Sequence, residues 1–475
     1  MTTQPRPLDA ASRYDSTIVR WGQGTTMTPR EAALWHASDR PVLRASSVVI
    51  EVLDLTPEWE RLIKGHSWAL GRIPRLRQRV VSDPLRIGAP EWVDTTVDLA
   101  HHLRRVRLPA AATLDDALTI AATMHTETFD PERPLWQAAL VEGLPGGRAA
   151  YILKLHHAMA DDHAIVALFD LLHSPVRAPT TVAPQLPPGR HQPVTPLQLT
   201  ARHALHAVHR TPEAVVRLAA TGARVGAALV RHPGRAAAGT AQLGRALGAG
   251  ASGGSPLLRG RGPGRFFDAI EVPTERLRAA GRVAGGRAGD AMLAALVDAI
   301  GRYHLERGVP VDELPVAVPL QLRLDGRQER FPRGRISAPT ATMPPQARIE
   351  LLLDRIAAAE SRTAIDVVAA TAPALSRIPT RILGPALERA ARPLALQAFV
   401  IRGLDRDAYF AGARVERMFS FGPTGGCALA ATLVTHQDVS CISFNVDTTA
   451  FNAPEALGRC LRTALADLLT DGLPA

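Results

Sequence analysis

Between Val176 and Arg265 the chain carries twelve arginines, at positions 177, 190, 202, 210, 217, 224, 231, 235, 245, 259, 261 and 265, against one acid, Glu213. The stretch opens in proline, "RAPTTVAPQLPPGRHQPVTP", and closes in glycine, "GAGASGGSPLLRGRGPG". Breakers at both ends predict a connector, residues 176-264, between two folded parts at 1-175 and 265-475. A chain of 475 residues is long enough for each part to bury a core of its own.

The net charge of +10 is concentrated in this connector, because the rest of the chain holds 44 basic and 44 acidic residues. Within it, Thr211 and Pro212 form an N-cap and first-turn signal, and Glu213 suits the positive end of a helix. Arg210, Arg217, Arg224 and Arg231 then recur every seven residues, while Val215, Leu218, Val225 and Leu229 make an apolar side. This pattern predicts a basic amphipathic helix, suited either to an anionic lipid surface or to packing as a solvated helix on the two parts. Those four arginines are the candidate membrane contacts. Nucleic acid is disfavoured as a partner, since no aromatic residues interleave the arginines and no binding motif is present.

No run approaches about 18 apolar residues, and "MTTQPRPLDAASRYDS" has no charged segment followed by an apolar one. The expected location is the cytoplasm, with the basic helix offering peripheral contact at the inner membrane face or a lipid droplet. Three cysteines, Cys427, Cys441 and Cys460, without CxxC spacing, argue against a disulfide framework or a zinc knuckle and predict small buried side chains.

Both parts mix strand and helix patterns. "PVLRASSVVIEVLD" reads as a strand, a helix is predicted from Thr56 and Pro57, and "TLDDALTIAATMHTETFD" is an amphipathic helix. In the second part, "GRFFDAIEVPTERLRAAGR" is strand then helix, and Leu293, Leu296, Val297 and Ile300 line one side of another helix. "LPVAVPLQLR", "RMFSFGP", "GCALAATLVTH" and "VSCISFNVD" are predicted strands, followed by a last helix from Pro454. With no GxGxxG fingerprint or P-loop, the expectation is an α/β chain of two layered domains meeting at an interface.

"RAAYILKLHHAMADD" is a strand that ends in two histidines. Neighbouring residues on a strand point to opposite faces, so one of His156 and His157 can enter an inter-domain channel while the other is buried. Imidazole titrates near working pH and is suited to taking a proton from an alcohol or amine. Asp161 can brace the turn through an arginine or hold the ring, and the plain alternative is two core histidines followed by an Asp helix cap. A metal site would recruit His156, His157, Asp161 and His163, but adjacent strand histidines diverge and no helical pair of the HExxH kind occurs; no metal is expected.

"RPLDAASRYD", "RIPRLRQRVV", "PEWV", "VDLAHHLRRVRLP", "FDPERPLWQAALVEGL", "HHAMADD", "LPVAVPLQLR" and "YFAGARVERMFSFGP", in that order, resemble successive blocks of the wax ester synthase/diacylglycerol acyltransferase family. That family is related to the chloramphenicol acetyltransferase-like CoA-dependent acyltransferases. The resemblance implies two such layered domains with a tunnel between them and the basic connector alongside. It implies acyl transfer from acyl-CoA, a co-substrate rather than a bound cofactor, to diacylglycerol or a long-chain alcohol, without an acyl-enzyme. His157 matches the catalytic histidine and Asp161 the motif aspartate, with His156 as its neighbour; Asp161 would hold the loop through an arginine such as Arg133.

Four positions depart from the family pattern. Asp162 stands where the motif has Gly, Gly289 and Asp290 replace Asn-Asp, Gly334 and Arg335 replace Gly-Asn, and "FVIRGL" lies near the place of an absent Asn-Val-Pro-Gly-Pro block. Asp162 and Asp290 are candidates to line the tunnel, and a carboxylate at 162 would suit an acceptor with a positive group. The departures open two other functions: tailoring of a natural-product alcohol or amine, and lipid binding without catalysis.

Overall fold

The computed structural model describes residues 24–85, 88–160, 165, 168–169, 171–178, 194–205, 254–324, 327–361, 385, 388–389, 391–404 and 406–471. Before the connector the chain forms α1 (Pro29–Ala37), β1 (Ser46–Leu53), α2 (Trp59–Arg72), β2 (Gln78–Val81), β3 (Glu91–Asp94), α3 (Leu99–His102), β4 (Leu103–Arg107), α4 (Leu114–Thr126), β5 (Trp136–Leu144) and β6 (Arg148–His156). After it come β7 (Arg265–Pro273), α5 (Thr274–Val283), α6 (Ala288–Glu306), β8 (Glu313–Leu324), β9 (Arg327–Pro339), α7 (Pro345–Ser361), β10 (Leu396–Arg402), β11 (Tyr409–Phe410), β12 (Ala413–Phe421), β13 (Leu429–His436), β14 (Val439–Asp447) and α8 (Pro454–Asp471).

Local chemistry accounts for the helix ends. α4 starts at a capping box in which the Thr113 amide donates to Asp116, and it buries Ala117, Leu118, Ala121 and Ala122. α2 begins at Trp59 rather than beside Thr56, because Glu58 keeps extended backbone (φ −62°, ψ 128°). The later start sets Leu62, His66 and Ala69 on one buried stripe.

Among the described residues two six-stranded sheets result, in the orders β11-β12-β1-β6-β5-β4 and β7-β14-β13-β10-β8-β9, with β2 and β3 as a separate ribbon. The first sheet is not made from the first half alone. β12 pairs antiparallel with β1 from Val48↔Phe421 onward, so the 409–421 ribbon of the second half completes it. That ribbon turns at Ala411 and Gly412, both at positive φ (48° and 89°), the backbone a two-residue hairpin of matching twist requires.

β1 therefore lies between β12 and β6, and all eight of its residues are buried. Its two faces look into different cores. Val49 and Leu53 pack with Leu62, Trp136, Tyr151 and Phe410, whereas Val48, Ile50 and Val52 pack with α4 and with Phe267 and Cys441 of the second sheet. The sheets are also joined by polar contacts, among them Ser420 N donating to Ser443 Oγ (3.1 Å) and Asn445 Nδ2 donating to Gly422 O (2.8 Å). The second half keeps its own core around α6, including Leu293, Leu296, Val297 and Ile300. The three cysteines are free thiols, all buried. Among the described residues no helix is long and apolar enough to cross a membrane.

Candidate active site

β6, between β1 and β5 in the first sheet, carries the histidine motif at its C-terminal end. Its register on β1 is Ser46↔His156 and Ser47↔Leu155, which brings the start of β1 alongside the two histidines. The His156 amide donates to Leu135 O (3.1 Å) and the His157 amide to Ala45 O (2.7 Å), so the strand end is held from both sides.

His156 is fully engaged in structure. Its Nδ1 accepts from the Ala158 amide (3.0 Å), which places the ring proton on Nε2, and Nε2 lies 2.8 Å from Ser38 Oγ. Ser38 Oγ donates in turn to Leu34 O (2.9 Å) and accepts from the Ala45 amide (3.2 Å). The ring sits edge-on between Trp35 and Phe129. Burial, then the neighbouring His157 and Lys154, push its pKa down to about 3, so it stays neutral.

His157 is only half-buried, and its Nε2 lies 2.5 Å from Ser47 Oγ. Ser47, Val49 and Glu51 share one face of β1, since side chains alternate along a strand. Val49 lines a small apolar cavity whose other walls include Ile165, Phe169, Leu404, Met418 and Val434. Ser420, the cross-strand partner of Val49, brings one hydroxyl to that wall. The half-buried imidazole, with a hydroxyl on its Nε2, thus meets β1 at Ser47, two residues along the same face from Val49, a wall of that pocket. Such an arrangement can draw a proton from a hydroxyl while an alkyl chain is kept from water.

Beyond Val49 on the same face, Glu51 pairs with His173, both side chains fully buried. On the opposite face Lys154, also fully buried, donates to Glu127 O (2.8 Å) and lies 4.2 Å above the Phe129 ring. Burial outweighs the nearby Glu127 and brings the Lys154 pKa down to about 7.

Sequence reasoning did not single out Ser47, Ser38, Glu51 or Lys154. A charge inside the apolar run "VVIEVL" does signal a carboxylate that needs a buried partner. The serines carry no such signal, because their importance comes from the β1–β6 register.

Other expected site residues fall elsewhere. Asp161 and Asp162 lie outside the described residues, as do Arg210, Arg217, Arg224 and Arg231. Arg133, the expected partner of Asp161, bonds Asp130 (3.2 Å). Asp290 does not line the cavity described above; its carboxylate accepts from the Arg287 amide (2.8 Å) and caps α6. A helix first turn with bare N–H groups recruits a nearby acid in this way. Gly289 is explained by space, since a Cβ there would come within 2.6 Å of Val400.

Residues 31–292 match the family model described as the wax ester synthase/diacylglycerol acyltransferase catalytic domain. A protein of Mycobacterium tuberculosis named as a putative diacylglycerol O-acyltransferase is 31% identical over 455 residues, covering 93% of this chain and 91% of the relative. Another from the same organism, with the same name, is 29% identical over 270 residues, 54% of this chain and 55% of its own. Among solved structures, the wax ester synthase/diacylglycerol acyltransferase from Marinobacter aquaeolei VT8 matches with a TM-score of 0.64 at 18% identity, over 94% of this chain and 100% of that one. The starter condensation domain of rhizomide synthetase, crystallised with C8-CoA, matches in fold with a TM-score of 0.52 at 13% identity, over 98% of each chain. The likeness shows the two-domain, chloramphenicol acetyltransferase-like architecture expected from the sequence. The chain belongs to the wax ester synthase/diacylglycerol acyltransferase family and is an acyltransferase.

Proposed function

We propose that the protein transfers an acyl group from acyl-CoA to the hydroxyl of diacylglycerol or a long-chain alcohol, with His157 as general base. The observation that carries this reading is the division of labour in the motif: His156 is fully buried with both ring nitrogens bonded to its surroundings, while the half-buried His157 turns Nε2 to the hydroxyl of Ser47, on the β1 face that also carries Val49. The binding of C8-CoA by a condensation domain of the same fold supports a CoA thioester as donor. In this reaction Nε2 takes the proton of the acceptor hydroxyl, whose oxygen attacks the thioester carbon. The tetrahedral intermediate then collapses, the C–S bond breaks, and the imidazolium proton passes to the departing CoA thiolate. Holding both substrates against one base makes an acyl-enzyme unnecessary. The arginine-rich connector supports a peripheral lipid contact that would bring apolar acceptors to the enzyme.

The test is CoA release from palmitoyl-CoA with an acceptor panel, products identified by mass spectrometry, beside His157→Ala. Ester from diacylglycerol or hexadecanol that vanishes in a folded variant is expected. Turnover that survives His157→Ala would remove the base assignment. Product formed only with small or aminated acceptors would move the enzyme to tailoring chemistry.

A further inference from the structure

We propose that Ser47 is a second catalytic residue, whose hydroxyl donates to the oxyanion of the tetrahedral intermediate; the role rests on His157 being the base. When the acceptor attacks, the thioester oxygen becomes an anion against the buried face of β1 that carries Ser47 and Val49, and an unmatched charge there is costly. The donor must stand close to Nε2, because the reacting carbon is one bond from the oxygen whose proton Nε2 takes. Ser47 Oγ is 2.5 Å from that nitrogen. Ser38 is committed to His156, Leu34 and Ala45, and Ser420 faces the cavity one residue pair farther along, opposite Val49 rather than Ser47.

In the resting protein the Ser47 hydroxyl and Nε2 share a hydrogen bond; in the tautomer a base requires, Nε2 is the acceptor and the hydroxyl donates. An acceptor hydroxyl must take this place to react. Its arrival frees Ser47 beside the carbon under attack, and rotation about χ1 to another staggered position is enough to re-aim the O–H. The backbone need not move, because β1 is bonded on both sides, to β12 and to β6. A donor on such a support is preorganised, which is where oxyanion stabilisation has its largest effect. The proton on Ser47 stays on Ser47 throughout; only the acceptor's proton is transferred, first to His157 and then to the thiolate.

The experiment measures kcat and KM for the full chain with palmitoyl-CoA and its best acceptor in Ser47→Ala, Ser47→Thr and Ser47→Val, with intact-protein mass spectra after palmitoyl-CoA alone. Ser47→Ala is expected to lower kcat by about 10²–10³-fold with KM little changed. Ser47→Thr keeps a hydroxyl and should recover most of the loss, whereas Ser47→Val, isosteric with the Thr variant, should not; this pair keeps the test valid if the Ala variant folds poorly. A kcat within threefold of wild type in both Ser47→Ala and Ser47→Val would overturn the role, as would an acyl adduct on Ser47, which would make it a nucleophile. An inactive His157→Ala beside a fully active Ser47→Ala removes Ser47 alone, while an active His157→Ala removes the base reading and this role with it.

Discussion

Nε2 of His173 lies 2.9 Å from one carboxylate oxygen of Glu51 and 3.1 Å from the other, with no solvent exposure on either side chain. The pair ties the middle of β1 to the segment that follows the histidine motif. Burial alone would lower the His173 pKa, but the charge and hydrogen bonding of Glu51 outweigh it and hold it above 6.5. A raised histidine stabilises the fold fully below its unfolded value and loses that contribution as pH rises through the folded one. Glu51→Gln should therefore cost about 3–5 kcal/mol in urea unfolding at pH 6, and clearly less at pH 9. An equal loss at both pH values would mean that the pair is not ionised.

Acid sensitivity has the opposite source. Burial leads the causes that push His66 down to about 4, and His125 and His156 to about 3, so all three stay neutral in the fold. The unfolded chain protonates them near 6.5, which makes stability fall as pH drops below that value toward the folded ones. Each histidine should add a slope of about 1.4 kcal/mol per pH unit in that window. Urea midpoints at pH 7.5, 6.0 and 5.0 measure it, and a flat profile would show that the rings are charged in the native protein.

Chain-length preference should respond to Val49, which faces the cavity two residues from Ser47. Val49→Phe fills part of that space and should lower kcat/KM for palmitoyl-CoA relative to decanoyl-CoA by roughly tenfold, since each buried methylene is worth about 0.8 kcal/mol. Overpacking should cost about 1–3 kcal/mol of stability. Unchanged selectivity in a folded variant would place the acyl chain elsewhere.

The connector arginines give a separable outcome. Replacing Arg217, Arg224 and Arg231 by Gln should weaken binding to anionic vesicles at low salt, and the difference should shrink as salt is raised toward 1 M. Turnover of a water-soluble acceptor should not change. Equal vesicle binding would leave the segment as a solvated connector.

Much of the local structure was legible from residue order. Apolar and β-branched runs marked β1, β6, β13 and β14, the 3.6-residue period marked α4 and α6, and "LKLHH" placed both histidines at a strand end, because these patterns depend on neighbours a few residues away. Adjacent strand positions also implied that the two rings diverge. Which one is sealed and which keeps partial exposure beside Ser47 was decided only by tertiary structure. Ser38, 118 residues before His156, closes one ring, and Ser47, 110 residues before His157, meets the other. The same holds for Glu51 with His173, and for the 409–421 ribbon that crosses from the second half to complete the first sheet. Such pairings follow from strand register and sheet order across long loops, and no periodicity within one segment encodes them.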